Sequence, residues 1–141
     1  MIRPLLFSAV AALLLSSGAT AADSAHPVSA VIDGDTFTVR SACLPPPPAL
    51  ATVRVRGVDA PEIGSHARCP YEASLAARAA AFTAAAIAGA GRVDLVKPRR
   101  DKYGRVLATV LLDGRDLAQL LIAAELARAY DGKGQRQGWC P

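Results

Sequence analysis

Three short stretches of the chain concentrate side chains able to do acid–base, cation or anion chemistry. Asp33-Gly34-Asp35-Thr36 puts two carboxylates into one turn. Arg54-Val55-Arg56-Gly57-Val58-Asp59-Ala60-Pro61-Glu62 carries two arginines followed by two acids. Asp101-Lys102-Tyr103-Gly104-Arg105 is a charged turn with an aromatic at its centre. Carboxylates can hold hard cations or accept protons, and guanidinium forks can grip oxyanions. Each stretch also has a plain reading. Asp-Gly is a common turn dipeptide, and Asp33 is assigned only that role. Asp-Ala-Pro-Glu can be a loop with a proline stop, and Asp-Lys-Tyr-Gly-Arg an ordinary exposed hairpin. Taken singly, none assigns a function.

The elements that must position these residues follow from periodicity. Residues 28–32 and 36–39 read as strands broken by the Asp33-Gly34-Asp35 turn. Residues 41–51 hold Pro45-Pro46-Pro47-Pro48, a polyproline connector that no strand interior accommodates. Residues 52–58 alternate, with Val53, Val55 and Gly57 on one face and Thr52, Arg54, Arg56 and Val58 on the other. Helical spacing then begins at Pro70, places Leu75, Ala79, Phe82 and Ala86 on one face, and ends at Gly89 and Gly91. Residues 92–97, stopped by Pro98, and 106–112 are strands. Asp116, with Gln119 three residues on, caps a last helix with Leu117, Leu120, Leu121 and Ala124 as its buried stripe. The predicted order β-β-β-α-β-β-α is that of a mainly β chain with helices, a five-stranded OB-fold barrel.

A length of 141 residues suits one domain. Its 52% hydrophobic content is inflated by many alanines and by the first 21 residues. There Arg3 precedes an apolar run at residues 5–15, too short to span a bilayer, and Ala19-Thr20-Ala21 fits a cleavage site. Residues 1–21 are thus expected to be a cleaved signal peptide, with an uncleaved anchor as the alternative. Residues 22–141 would then form a secreted or periplasmic domain. Without Arg3 the net charge of +4 becomes +3, which suits a polyanionic partner without requiring one. Export to an oxidising compartment predicts one disulfide among Cys43, Cys69 and Cys140, with one thiol left over. Cys69–Cys140 is the preferred pair, because it ties the first helix to a terminus that would otherwise fray. Pairing through Cys43 stays open. Metal binding by the cysteines is not expected, since His26 and His66 sit far from any Cys-x-x-Cys pattern.

In combination the stretches resemble the staphylococcal nuclease (thermonuclease) family. The resemblance rests on Ile32-Asp33-Gly34-Asp35-Thr36, on Arg54 with Asp59 five residues later and Pro61-Glu62, and on Asp101-Lys102-Tyr103-Gly104-Arg105. Pro70 with Glu72-Ala73-Ser74 adds to it, and it extends over residues 28–129. It implies the OB barrel and a calcium site built from Asp35, Asp59 and the backbone carbonyl of Ala60, where the family commonly has threonine. It further implies Glu62 as the acid that activates or orients the attacking water. Arg54 and Arg105 would be the arginines that grip the phosphate, and Lys102 and Tyr103 would contact a neighbouring phosphate. The implied activity is calcium-dependent endonucleolytic hydrolysis of DNA and RNA, single- or double-stranded, with 3′-phosphate products. The implied protein is a monomer that is free of the membrane once its leader is removed.

Arg56 is expected in a surface ion pair or a nucleic-acid contact, and Tyr130 is a candidate for stacking on a base. Three features depart from the family. The polyproline connector with Cys43 is an insertion, the 63–68 loop is short, and a long third helix is absent. The alternative function is a non-catalytic nucleic-acid- or protein-binding module on the same scaffold. Retention of Arg54, Glu62 and Arg105 together favours the enzyme.

Overall fold

A computed structural model describes residues 26–40 and 50–141. Residues 1–21, expected to be a signal peptide, and the connector with Cys43 lie outside the described residues. Strands β1 (Val28–Asp33) and β2 (Thr36–Val39) form a hairpin in which Asp33 pairs with Thr36. Asp33 does act as a turn residue, its Oδ1 accepting the Asp35 N–H at 3.0 Å. Strand β3 (Ala51–Val55) lies antiparallel to β2, with Phe37 opposite Val53 and Thr36 opposite Arg54. Alternation sends Phe37, Val39, Val53 and Val55 into the core and leaves Thr36, Thr38, Thr52 and Arg54 on the other face.

The expected single strand over 52–58 is two. The chain turns at Arg56-Gly57, where Gly57 adopts φ +85, a conformation that glycine takes without strain. It resumes as β4 (Val58–Asp59), which pairs with β8 (Arg128–Ala129) in a separate ribbon. Helix α1 (Pro70–Ala88) starts with Pro70 in its first turn, ends on Gly89, and buries Leu75, Ala76, Ala79 and Thr83. Strand β5 (Val93–Arg100) does not stop at Pro98. The ladder to β6 (Val106–Leu112) is irregular between Val96 and Arg99, so Pro98 sits where no N–H is required. After β7 (Arg115–Asp116), Asp116 caps α2 (Leu117–Ala123), accepting the Ala118 N–H at 2.9 Å. Leu117, Ala118 and Leu121 form its buried face.

The strand order is β1-β2-β3-β6-β5 with β7 added beside β6. Only β3 and β6 run parallel, and α1 lies in the crossover between them. The expected mainly β architecture with helices stands, and the difference lies in closure of the five-stranded barrel. The chain is mainly β with two helices, but the sheet is mixed and open, and no ladder among the described residues joins β1 to β5. The outer half of β5, with Lys97, Arg99 and Arg100, is exposed instead of closing a wall. The parallel register sets Val53 opposite Val106 and Arg54 opposite Leu107. By alternation, Arg105 then enters β6 on the same face as Arg54.

Helix α1 fixes the β1–β2 turn at close range. The Thr83 hydroxyl donates to the Gly34 carbonyl at 2.6 Å, and a Cβ on Gly34 would meet the Ala79 Cβ at 2.7 Å. The Ala79 Cβ is fixed to the helix, and the Ala60 Cβ lies 3.0 Å away on the other side, so the added methyl meets close-packed atoms. Gly34→Ala is therefore expected to destabilise the fold by about 1–3 kcal/mol. Urea denaturation measures it, and an unchanged midpoint would mean that α1 and the turn are less closely packed than described.

Candidate functional site

The site is built around Arg54, only 9% exposed. Its Nη1 lies 2.9 Å from Asp35 Oδ2 and donates to the Val55 carbonyl at 3.0 Å. Its Nη2 donates to the Val58 carbonyl at 2.9 Å and lies 3.8 Å from Asp59 Oδ1. One guanidinium thus draws together two buried carboxylates from the β1–β2 turn and from β4. Asp35 is further held by the Ala60 N–H at 2.7 Å and the Thr36 hydroxyl at 3.0 Å. Burial still dominates and pushes the Asp35 carboxyl up to about 7, against the Arg54 charge and the Ala60 hydrogen bond, which favour the ionised form.

Glu62 follows on the same loop, half-exposed. Its backbone N–H donates to the buried Glu72 of α1 at 3.3 Å, and the Arg68 N–H donates to the other Glu72 oxygen at 2.8 Å. On the opposite wall Asp101 aims Arg105. Its Oδ1 accepts the backbone N–H groups of Tyr103 and Arg105 at 2.9 Å each, and its Oδ2 accepts Arg105 Nε at 2.8 Å. Burial opposes ionisation of Asp101, but these hydrogen bonds outweigh it and hold its carboxyl below the usual range. Lys102 and Tyr103 are exposed at the tip of the turn, and the Tyr103 ring lies 5.0 Å from Lys102 Nζ and 5.3 Å from the Arg105 guanidinium.

These residues share one groove of about 620 Å³, lined by Asp35, Arg54, Glu62, Lys102, Tyr103 and Arg105, with Tyr130 and Lys133 at its far wall. The sequence-predicted set is therefore brought together, with Asp59 behind Arg54. Arg56 departs from expectation. Among the described residues it makes hydrogen bonds in place of the expected ion pair, its Nη2 donating to the carbonyls of Lys97 (2.8 Å), within the irregular stretch of β5, and Leu107 (3.0 Å), while the side chain also lines the groove.

Two participants escaped the sequence reading, and Glu72 is the first. The second is Arg136, whose Nη1 lies 2.9 Å from Asp59 Oδ1 and 2.8 Å from Glu62 Oε1. Asp59 foremost, with Glu62, holds this guanidinium still more firmly protonated than usual. Arg136 sits on a tail pinned by Cys69–Cys140, whose Cα atoms are 6.0 Å apart. Buried Trp139 underlies the Arg128 guanidinium at 3.9 Å, and Arg128 also donates to the Gly138 carbonyl at 2.8 Å. A signal for Arg136 existed: pairing Cys140 with Cys69 brings the tail within reach of Glu62.

A family model for staphylococcal nuclease homologues matches residues 52–138. The chain belongs to that family. No curated protein matches it. The match takes in Arg54, Asp59, Glu62, Arg105 and Arg136, while Asp35 lies outside it and is tied to the site by its contacts with Arg54 and Ala60. Family members generally hydrolyse nucleic acids, and the fold and groove suit a nuclease-type or nucleic-acid-binding module.

The family is also typically calcium-dependent. Among the described residues no three His, Cys, Asp or Glu side chains form a metal cluster. The donors on hand are oxygens: the carboxylates of Asp35 and Asp59 and the carbonyl of Ala60. That set fits a hard cation that keeps several waters.

In chelator the raised Asp35 carboxyl has a consequence for stability. Protonated Asp35 contributes stability that is fully present below the unfolded carboxyl value, near 3.9, and is lost as pH climbs through about 7. Asp35→Asn, which also removes the charge from the 2.9 Å partner of Arg54, is expected to gain stability relative to the parent as pH climbs from about 4 to about 8. Thermal melts in chelator across that range check it. A gain independent of pH would assign the effect to something other than the buried charge.

Proposed function

We propose that the protein is a secreted or periplasmic endonuclease that hydrolyses DNA and RNA phosphodiesters with calcium. The observation that carries this reading is the convergence of Asp35, Arg54, Glu62 and Arg105 on one groove from separate elements. Attack on a phosphodiester builds charge on the equatorial oxygens of phosphorus. Arg105, aimed by Asp101 and only partly buried, presents a permanently charged fork to those oxygens. Arg54 supplies positive potential from the groove floor while fixing the two acids. Glu62, on the rim with its backbone anchored through Glu72, takes the proton of the attacking water. Asp35, Asp59 and the Ala60 carbonyl would hold the calcium. Bound there, calcium supplies Lewis-acid polarisation of the phosphoryl oxygen. Lys102 and Tyr103 meet a neighbouring phosphate, and Tyr103 and Tyr130 offer faces to bases. Contacts of this kind read the backbone and not the base sequence, which is why both DNA and RNA are substrates.

A second reading is a non-catalytic nucleic-acid-binding module. One observation favours it: Asp59 and Glu62 are already engaged by Arg136.

Plasmid and RNA degradation with calcium, with magnesium and with chelator separates the two. Hydrolysis with calcium that chelator abolishes is expected. Glu62→Gln should cut the rate at least about a hundredfold while leaving the circular dichroism spectrum unchanged. Binding of nucleic acid without hydrolysis in any metal would select the second reading, and normal turnover by the variant would remove Glu62 from the mechanism.

A further inference from the structure

We propose that Arg136 is a tethered competitor of the divalent cation, so that the disulfide-anchored tail sets the metal affinity of the site. The inference rests on the cation reading given above and adds the residue that regulates it. A single nitrogen, Arg136 Nη1, bridges Asp59 Oδ1 and Glu62 Oε1 at 2.9 and 2.8 Å. Arg54 leans towards Asp35, at 2.9 Å, and is 3.8 Å from Asp59. The short ion pair of Asp59 is therefore with Arg136. A divalent cation ligated by Asp59 meets a guanidinium already on the same oxygen, and the two positive charges repel at close range.

The competitor is held in place by covalent and packing restraints. Gly132 and Gly134, at φ +85 and +72, let the tail turn back over the groove. The Tyr130 hydroxyl donates to the Gly134 carbonyl at 3.0 Å before Arg136, and Arg128, Trp139 and Cys69–Cys140 secure the chain after it. The guanidinium thus acts at high effective concentration, with no free cation needed. Its side chain is 49% exposed, so it can leave the acids without repacking the core. It lines both the main groove and a smaller cavity of about 400 Å³ beside Glu62 and Trp139, and a displaced Arg136 stays at the groove wall.

Calorimetric titration of the oxidised full chain with calcium chloride tests this without reference to activity. Arg136→Gln is expected to bind calcium about tenfold more tightly than the parent, a change of about 1.4 kcal/mol. Cys69→Ser with Cys140→Ser, which releases the tail, is expected to tighten binding by a similar factor. Adding Arg136→Gln to that pair should then gain nothing more, because both changes remove one interaction. Should the cysteine variant not fold, Arg136→Lys decides, keeping the charge and giving a smaller gain than glutamine. Unchanged or weaker calcium binding by Arg136→Gln, with a parent that binds calcium, overturns this inference alone. Absence of calcium binding in both parent and Arg136→Gln overturns the cation reading itself. Loss of the tightened binding on adding Asp59→Asn supports competition at that carboxylate.

Discussion

A guanidinium buried between two carboxylates is the constraint on which the rest of this molecule is arranged. Arg54 has left water almost entirely, and an ion in that position survives only if its donors are matched. Asp35 and the carbonyls of Val55 and Val58 match them, with Asp59 close by. Those partners belong to the β1–β2 turn, the end of β3 and the start of β4. Holding them together requires the β2–β3 register, the Val55 N–H bond to the Asp35 carbonyl at 2.8 Å, and α1 pressed onto Gly34. Core packing and site assembly are therefore one problem. The face of β2 and β3 that carries Phe37, Val39, Val53 and Val55 is dry, and the opposite face carries the chemistry.

The two walls of the groove are rigid for different reasons. The Arg54 wall is rigid because it is buried in regular structure. The Arg105 wall is an exposed turn, and its order comes from Asp101, whose two oxygens accept three hydrogen bonds from within the turn. Exposed ion pairs contribute little to stability, so the value of the Asp101–Arg105 pair lies in aiming the guanidinium. The parallel pairing of β3 with β6 then brings these walls together from distant parts of the chain.

Much of this was legible in the residues. The Asp-Gly turns, the alternation of β3 and β6, Pro70 opening α1 and Asp116 capping α2 are local signals read by local rules. The order of the three polar stretches was specific enough to point to the family. What was not legible depended on long-range packing. Pro98 was read as a strand end because proline lacks a donor, yet an irregular ladder absorbs it. The barrel was inferred from the order of elements and from the family resemblance, whereas pairing of β1 with β5 is a tertiary event that the order does not dictate. Arg56 was expected in a surface ion pair or a nucleic-acid contact, because nothing local announces the carbonyls of Lys97 and Leu107 that it reaches. Glu72 and Arg136 were missed because each acts through partners distant in sequence.

Charge balance at the inner end of the groove ties these observations together. Asp35, Asp59 and Glu62 face Arg54 and Arg136, so with every group ionised one negative charge is left over. Burial makes that excess costly, and the raised Asp35 carboxyl is where the cost is expressed. A divalent cation reverses the sign of the excess, and a phosphodiester carrying one negative charge then restores neutrality. Arg105 and Lys102 add positive charge for the phosphate further along the same groove. A groove with this composition favours joint occupancy by cation and phosphate. Arg136 of the tail leaves Asp59 when the cation takes that oxygen, but it stays at the groove wall, where its charge still counts towards the balance.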